Sequence, residues 1–85
     1  MYYVYLLTNE KGTTYVGYTN DLRRRYHEHQ TGKNIYTRKG EWNLVYYEAY
    51  LNKADAMLRE KRLKDGRART QLKNRIQSSI DESLD

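Results

Sequence analysis

Cysteine is absent from this chain of 85 residues, and so is phenylalanine. Without cysteine there is no disulfide, no thiolate zinc site and no cysteine nucleophile, which is the composition expected of a protein in a reducing compartment. Ten tyrosines take the place of phenylalanine, so almost every aromatic ring in the core brings a hydroxyl that needs a hydrogen-bond partner. Only two histidines remain for metal binding or acid–base chemistry.

Long apolar runs are also missing. The apolar stretch at residues 2–7 has no basic leader and is followed directly by polar residues, so it resembles neither a signal peptide nor a membrane span. We expect a soluble, cytoplasmic protein with no membrane partner. The length suits one domain, which we place at residues 1–80, with residues 81–85 as a frayed acidic tail.

Basic residues outnumber acidic ones, sixteen to eleven, and three of the acids lie in the last five residues. The first eighty residues therefore carry sixteen basic against eight acidic side chains. Such an excess favours a polyanionic partner such as nucleic acid, whose phosphates attract basic surfaces whatever the base sequence. The alternative is charge that only maintains solubility.

The first part of the chain predicts a hairpin and a helix. Residues 2–8 and 13–19 are rich in aromatic and β-branched side chains and are separated by a turn at residues 9–12. A helix follows at residues 21–31, with Leu22, Tyr26 and His29 on one face and Gly32 as its stop signal.

The second part predicts a loop, a strand and two helices. Residues 33–41 are polar and basic, and residues 42–50 are typical of a strand. The next helix begins at Asn52 and ends near Gly66, with an apolar stripe at Ala54, Met57, Leu58 and Lys61; the last carries Leu72, Ile76 and Ile80. The fold class is thus α/β of the α+β kind, a small three-stranded, mainly antiparallel sheet flanked by helices in the order β-β-α-β-α-α.

Short motifs in a fixed order resemble those of the GIY-YIG nucleases, and particularly their small stand-alone bacterial members, over about residues 2–76. Tyr3-Val4-Tyr5 and Tyr15-Val16-Gly17 stand where the family has its two tripeptides, although the first begins with tyrosine in place of glycine, which we interpret as subfamily variation. Further blocks follow at the family's positions: Arg25, His29, Thr31-Gly32-Lys33, Tyr36-Thr37-Arg38, Leu44-Val45-Tyr46-Tyr47-Glu48 and Arg59-Glu60-Lys61.

The resemblance implies an endonuclease that hydrolyses phosphodiester bonds, more often in DNA than in RNA, with Mg²⁺ or Mn²⁺ as cofactor. Its implied catalytic residues are Tyr5, Tyr15, Arg25, His29 and Glu60, with Glu60 as the metal ligand. Physical reasoning agrees: tyrosines on paired strands can share one face, and residues four apart on a helix do so too. One carboxylate suffices for Mg²⁺, which keeps waters and takes substrate oxygens.

The expected mechanism is in-line attack of water on phosphorus, with Arg25 stabilising the charge that develops on the phosphate. Tyr5 is a weak base at neutral pH because its ordinary pKa is near 10, whereas His29 titrates in the useful range. We therefore predict Tyr5 as the base that contacts water, and leave open whether His29 assists it or acts itself. Tyr15 is expected to position phosphate or water, and an ion pair with Lys64 is the alternative role of Glu60.

A surface for nucleic acid is predicted beside these residues, and it comprises Arg24, Lys33, Tyr36, Arg38, Lys39 and Asn74. Asn74 stands for the family's late asparagine, with an ordinary surface residue as its alternative. Two other functions stay open: a nucleic-acid-binding module that has lost its chemistry, and a domain that docks on an acidic protein. A partner protein for targeting and a role in repair, restriction or mobile elements are equally open.

Overall fold

The chain begins with a hairpin closed by an asparagine. In the computed structural model, which describes residues 1–34, 37 and 40–84, β1 (Tyr2–Asn9) pairs antiparallel with β2 (Thr14–Thr19). The Asn9 side-chain oxygen accepts hydrogen bonds from the backbone N–H groups of Lys11 and Thr13. Gly12 adopts a φ of 77°, in the left-handed region that costs glycine least.

A third strand completes the sheet on the other side of β1. β3 (Trp42–Tyr50) pairs antiparallel with β1, so the strand order is β2-β1-β3 and β1 is central. The register shifts between Leu6, opposite Tyr46, and Leu7, opposite Leu44. This bulge turns both Val45 and Tyr46 towards one hydrophobic cluster. The predicted fold class, an antiparallel sheet flanked by helices, is confirmed.

In the part of the chain that the structure describes, four helices surround the sheet: α1 (Leu22–Gln30), α2 (Lys53–Lys64), α3 (Gly66–Arg75) and α4 (Gln77–Ser83). Asp21, Asn52 and Asp65 cap the first three by accepting backbone N–H groups. α1 is followed by Gly32 with a φ of 79°, as its predicted stop signal requires. Among the described residues, no helix is long and apolar enough to cross a membrane.

The two faces of the sheet bury different clusters. Val4 and Leu6 point to one face, where they pack with Val16 and with α2 and α3 through Ala56, Leu63 and Leu72. Tyr5 and Leu7 point to the other face, where they pack with Trp42 and with Leu22 and Tyr26 of α1. Because β1 is buried on both faces, α1 and α2 lie on opposite sides of the sheet.

The predicted apolar stripe of α2 is wrong. Met57 and Leu58 are 49% and 47% exposed, whereas Ala56 and Leu63 are 0% and 1% exposed. The helix is turned so that residues 56 and 63, two turns apart, face the sheet. Arg59 lies between them and donates a hydrogen bond to the Glu48 carboxylate. A pattern of apolar residues does not predict this polar contact on the inner face of the helix.

The predicted last helix is in fact two helices. Ile76 leaves helical geometry, with φ −112° and ψ 24°, and divides α3 from α4. α4 continues through Asp81 and Glu82, which differs from the frayed tail predicted to begin at residue 81. The reason is anchoring by Ser83: its hydroxyl lies 3.3 Å from the Thr8 hydroxyl, and its carbonyl accepts a hydrogen bond from the Asn43 amide.

Candidate active site

The centre of the site is a tyrosine laid across the backbone of a glycine. Tyr5 on the central strand is paired with Gly17 on β2 and is only 1% exposed. A Cβ atom on residue 17 would lie 2.3 Å from both Cζ and the hydroxyl oxygen of Tyr5. Only glycine therefore leaves room for the phenol in this position, which gives the third residue of Tyr15-Val16-Gly17 a steric reason.

A chain of hydrogen bonds runs inward from the Tyr5 hydroxyl. The hydroxyl oxygen lies 2.8 Å from Nε2 of His29, which is in the last turn of α1. Nδ1 of His29 lies 2.8 Å from the Thr37 hydroxyl. His29 and Thr37 are 2% and 1% exposed, so both are shielded from water. The imidazole is thus held at both nitrogens, with its ring plane fixed beside Tyr5.

Tyr15 of β2 and Arg25 of α1 complete the cluster. The Tyr15 ring lies 6.3 Å from that of Tyr5 and 5.0 Å from that of His29, between ring centroids. Arg25, one turn before His29 on α1, lies beside the Tyr5 hydroxyl, because each of the two groups shifts the pKa of the other. Its Nη1 also donates to Glu28 at 3.0 Å. The structure thus brings together four of the five residues predicted to be catalytic.

Burial sets the protonation states of the two central groups. Burial raises the pKa of Tyr5 to about 12, an effect that the Arg25 hydrogen bond opposes and the charges of Tyr15 and Glu60 increase. Burial lowers the pKa of His29 to about 4, and the nearby Arg25 charge lowers it further. At neutral pH the pair is therefore an un-ionised phenol beside a neutral imidazole.

Glu60, the fifth residue, comes from the opposite side of the sheet. It lies on α2, yet its charge is close enough to raise the pKa of Tyr5. Its carboxylate pairs with Lys64 Nζ at 3.4 Å, as the alternative role predicted. Lys64 in turn lines a cavity of about 280 Å³ together with Tyr15 and Arg69, beside the edge strand β2. Glu60 therefore lies near the cluster around the free edge of the sheet.

A divalent cation fits this donor set. In the described part of the chain no three carboxylate, histidine or cysteine side chains group together as a cage. The Glu60 side chain is 23% exposed, and its ion-pair partner Lys64 is a flexible side chain that a cation can displace. A partly exposed single carboxylate is what a hydrated Mg²⁺ ion uses, because it keeps waters and adds substrate oxygens.

The residues predicted to bind nucleic acid are distributed unevenly. Arg24 is exposed and lines a cavity of about 350 Å³ with Arg25 and Lys53. Lys33 is exposed just after α1. Asn74 is exposed on α3, and among the described contacts none joins it to the cluster. Three further predicted residues lie outside the described residues: Tyr36, Arg38 and Lys39.

Several neighbours of the site escaped the sequence analysis. Glu28 sits three residues after Arg25, a spacing that does signal an ion pair on a helix. Thr37 lies in the Tyr36-Thr37-Arg38 block, but the block does not predict its contact, because only the folded chain brings this loop hydroxyl to His29. Arg69 carries no such signal, since it reaches the cavity beside Tyr15 from α3.

Behind Glu60, the opposite face holds an ion pair. Glu48 on β3 accepts hydrogen bonds from Nε and Nη2 of Arg59, the residue before Glu60, and from the hydroxyls of Tyr46 and Tyr50. Burial alone would raise the pKa of Glu48, but these hydrogen bonds hold it below its ordinary value. The pair fixes the middle of α2 against β3.

Comparison with known proteins supports the motifs. The family model of the GIY-YIG catalytic domain matches residues 1–77. The chain is 42% identical over 65 residues to the UPF0213 protein OB0043 of Oceanobacillus iheyensis, covering 74% of this chain and 76% of that one. It is 45% identical over 60 residues to the UPF0213 protein SAG0778 of Streptococcus agalactiae, covering 68% of each.

A solved structure has the same fold. The solution NMR structure of the UPF0213 protein BH0048 from Bacillus halodurans superposes with a TM-score of 0.55 at 40% sequence identity, covering 85% of this chain and 82% of that one. Since the family model spans nearly the whole sequence and these relatives share two fifths of their residues with it, the chain belongs to the GIY-YIG nuclease family.

Proposed function

We propose that this protein is an endonuclease that hydrolyses phosphodiester bonds in nucleic acid with the help of a divalent metal ion. The observation that carries the proposal is the Tyr5 hydroxyl, which is held between the Arg25 guanidinium and His29 Nε2 over Gly17. A hydroxyl between a fixed cation and a neutral imidazole is suited to moving a proton beside an anionic substrate.

The proton path follows from which groups can donate. Arg25 can only donate, so the Tyr5 oxygen accepts from it, and Tyr5 gives its own proton towards His29 Nε2. Neutral His29 then carries its proton on Nδ1 and donates it to the Thr37 hydroxyl. Tyr5 therefore takes a proton from the attacking water as it passes its own to His29, so that no free phenolate has to form at neutral pH.

Arg25 and Tyr15 act on the phosphate. Arg25 stays charged because its hydrogen bond to Tyr5 raises its pKa, and its fork of N–H groups can hold two phosphate oxygens. Tyr15, at the edge of the cluster, orients phosphate or water through its hydroxyl. A Mg²⁺ or Mn²⁺ ion held by Glu60 would stabilise negative charge on the leaving oxygen.

We further propose DNA in preference to RNA as the substrate, and the cytoplasm as the site of action, since a chain without cysteine suits a reducing compartment. A partner protein for targeting belongs to the same proposal. A binding module without chemistry is the second candidate, and the Glu60–Lys64 ion pair favours it, because that contact neutralises the proposed metal ligand.

The test compares cleavage of labelled single-stranded, duplex and flap DNA, and of single-stranded RNA, in Mg²⁺, Mn²⁺ or EDTA. We expect metal-dependent products with the wild type and none with Glu60→Ala or Arg25→Ala. The matched controls are Glu82→Ala and Arg62→Ala, which remove exposed residues of the same charge from α4 and α2 and should cleave normally. Binding without cleavage under every condition would establish the binding module instead.

A further inference from the structure

A further cavity, of about 460 Å³, lies between the sheet and the first half of α1. Its walls include Tyr3 and Tyr47 of the sheet, and Leu22 and Tyr26 of α1. The proposed chemistry uses none of these side chains. Its volume is within the range of small-ligand sites, so it can admit a group the size of one planar ring system.

The sheet side of this cavity is aromatic and open. The rings of Tyr3 and Tyr47 meet edge to face, with centroids 6.1 Å apart. Tyr47 is 54% exposed, although tyrosine elsewhere in this sheet is half-buried or buried. A partly exposed ring beside a hydrophobic floor is a surface on which another flat ring can stack.

Basic groups connect this cavity with the proposed catalytic site. Arg23 lines the aromatic cavity, whereas Arg24 and Arg25 line the cavity of about 350 Å³ beside the site. Asn20 lines both of them, at the beginning of α1. Three consecutive arginines therefore follow the first turn of α1 from one cavity to the other.

The acidic groups along this path are already engaged. The Asp21 carboxylate accepts the backbone N–H of Arg24, and the Glu28 carboxylate pairs with Arg25. The path is thus positive overall, and a phosphodiester chain with one phosphate at Arg25 can follow it round the beginning of α1.

We propose that the cavity lined by Tyr3, Tyr47 and Arg23 binds an unpaired nucleobase of the strand whose phosphate lies at Arg25. This inference rests on the proposed function and deepens it, because it names the feature of the substrate that is recognised. The base stacks on Tyr47, while Asn20 offers hydrogen bonds to its edge and Arg23 holds the adjoining phosphate. Nucleic acid with unpaired nucleotides beside the cut is then preferred over continuous duplex.

The test is binding in EDTA, so that its result does not depend on cleavage. A short single-stranded DNA, its RNA counterpart and a blunt duplex are titrated with wild type, Tyr47→Ala, Tyr47→Leu and Tyr47→Phe. Parallel oligonucleotides carry one abasic site, moved along the chain. A 2-aminopurine at the same positions reports stacking by loss of its fluorescence.

We expect Tyr47→Ala and Tyr47→Leu to bind the single strand about tenfold more weakly, and Tyr47→Phe to bind it as the wild type does. One abasic position should weaken wild-type binding by a similar factor and add nothing to the loss in Tyr47→Ala. Leu51→Ala is the control, because Leu51, which directly follows β3, is 85% exposed and does not line the cavity. Comparing the affinities for the DNA strand and the RNA strand shows whether the site prefers a deoxyribonucleotide or a ribonucleotide.

The nucleobase site is overturned if Tyr47→Ala loses as much affinity for an abasic strand as for an intact strand, or if neither Tyr47→Ala nor Tyr47→Leu loses affinity. Both results would leave the nuclease proposal intact. Conversely, base-dependent stacking in a protein that never cleaves would keep this site and remove the catalytic proposal. Weaker binding of the duplex to Tyr47→Ala by the same factor would also overturn the inference, since it would show a contact that does not need an unpaired base.

Discussion

Both faces of the sheet bury a polar network, but the two networks hold their protons differently. On the α1 face, Tyr5, His29 and Thr37 form a chain of neutral groups with one cation, Arg25, at its outer end. On the α2 face, Glu48 and Arg59 are a charged pair, and two tyrosine hydroxyls fill the remaining positions of the carboxylate.

The difference separates a proton path from a structural clamp. In the Glu48 network, hydrogen bonds lower the carboxylate pKa, while burial and the hydrogen bonds to Glu48 raise the pKa values of Tyr46 and Tyr50, so every proton stays where it is. In the Tyr5 network, burial keeps both partners neutral at rest, and the imidazolium that forms when a proton reaches His29 is offset, in the proposed mechanism, by the negative charge that develops on the phosphate. Burial of polar groups alone therefore does not identify a catalytic site, and the protonation states do.

Removing one hydroxyl from each network should give the largest contrast. We expect Tyr5→Phe to slow single-turnover cleavage by about 10²- to 10⁴-fold, the usual contribution of a general acid–base group. Tyr46→Phe, its counterpart in the Glu48 network, should change the rate less than about threefold, because it removes only one of several hydrogen bonds to the Glu48 carboxylate, on the other face of the sheet. An equal slowing in both variants would remove the distinction between path and clamp.

Removing one carboxylate from each face should affect stability in the opposite order, with the larger loss in the Glu48 network. Glu48→Ala leaves a partly buried Arg59 without its partner and should lower the free energy of unfolding by about 3 kcal/mol. Glu28→Ala breaks the Arg25–Glu28 pair, which is more exposed than the Arg59–Glu48 pair, and should lower the free energy of unfolding by less than about 1 kcal/mol. Urea denaturation at neutral pH measures both, and equal losses would show that the Glu48 network is not the stronger clamp.

Gly17 and Gly66 provide a steric version of the same comparison. Gly17→Ala should displace the Tyr5 ring, destabilise the protein by about 1–3 kcal/mol and abolish cleavage. At Gly66, the nearest atom to an added Cβ is 3.8 Å away, so Gly66→Ala should leave cleavage unchanged and slightly favour α3. Thermal unfolding and the cleavage assay check both variants, and an active Gly17→Ala protein would contradict the packing argument.

Acid should weaken the two networks in different pH ranges. Because the pKa of His29 is about 4 in the folded protein and near 6.5 in the unfolded chain, the unfolded chain binds the proton more readily. Stability should therefore fall, by on the order of 1 kcal/mol, as the pH drops from about 6.5 towards 4, and His29→Gln should lack this fall. The Glu48 pKa is also lowered, so its contribution is lost only below the ordinary carboxyl pKa of 4.5. Denaturation across pH compares His29→Gln with Glu48→Ala. If stability falls in His29→Gln over the same pH range as in the wild type, another group is responsible for the fall.

The sequence predicts well what depends on local pattern. The hairpin, α1 with its inward Leu22, Tyr26 and His29, and the third strand follow from alternation, capping residues and stop signals. The convergence of Tyr5 and Tyr15 on one face follows from strand pairing. These features need only neighbours in sequence or a register that the turn sets.

What the sequence does not predict depends on contacts between distant segments. The rotation of α2 is set by Arg59 reaching Glu48 across the core, and the division at Ile76 by where Ser83 meets Thr8. The resemblance names Glu60 as a site residue without saying where it lies, and the fold holds it on α2, on the opposite side of the sheet from α1. Asn74 shows most clearly what a motif position does not predict, since among the described contacts none joins Asn74 to the cluster.

The Arg25–Glu28 ion pair has a consequence for how the protein responds to salt. In the resting state the guanidinium already holds an anion, so a phosphate that arrives there exchanges with a tethered carboxylate and frees no dissolved ion from that arginine. Plots of log affinity against log salt concentration should then be shallower than the number of basic contacts implies, by about one phosphate contact. Affinity would thus be lower in dilute buffer but would vary less between ionic environments.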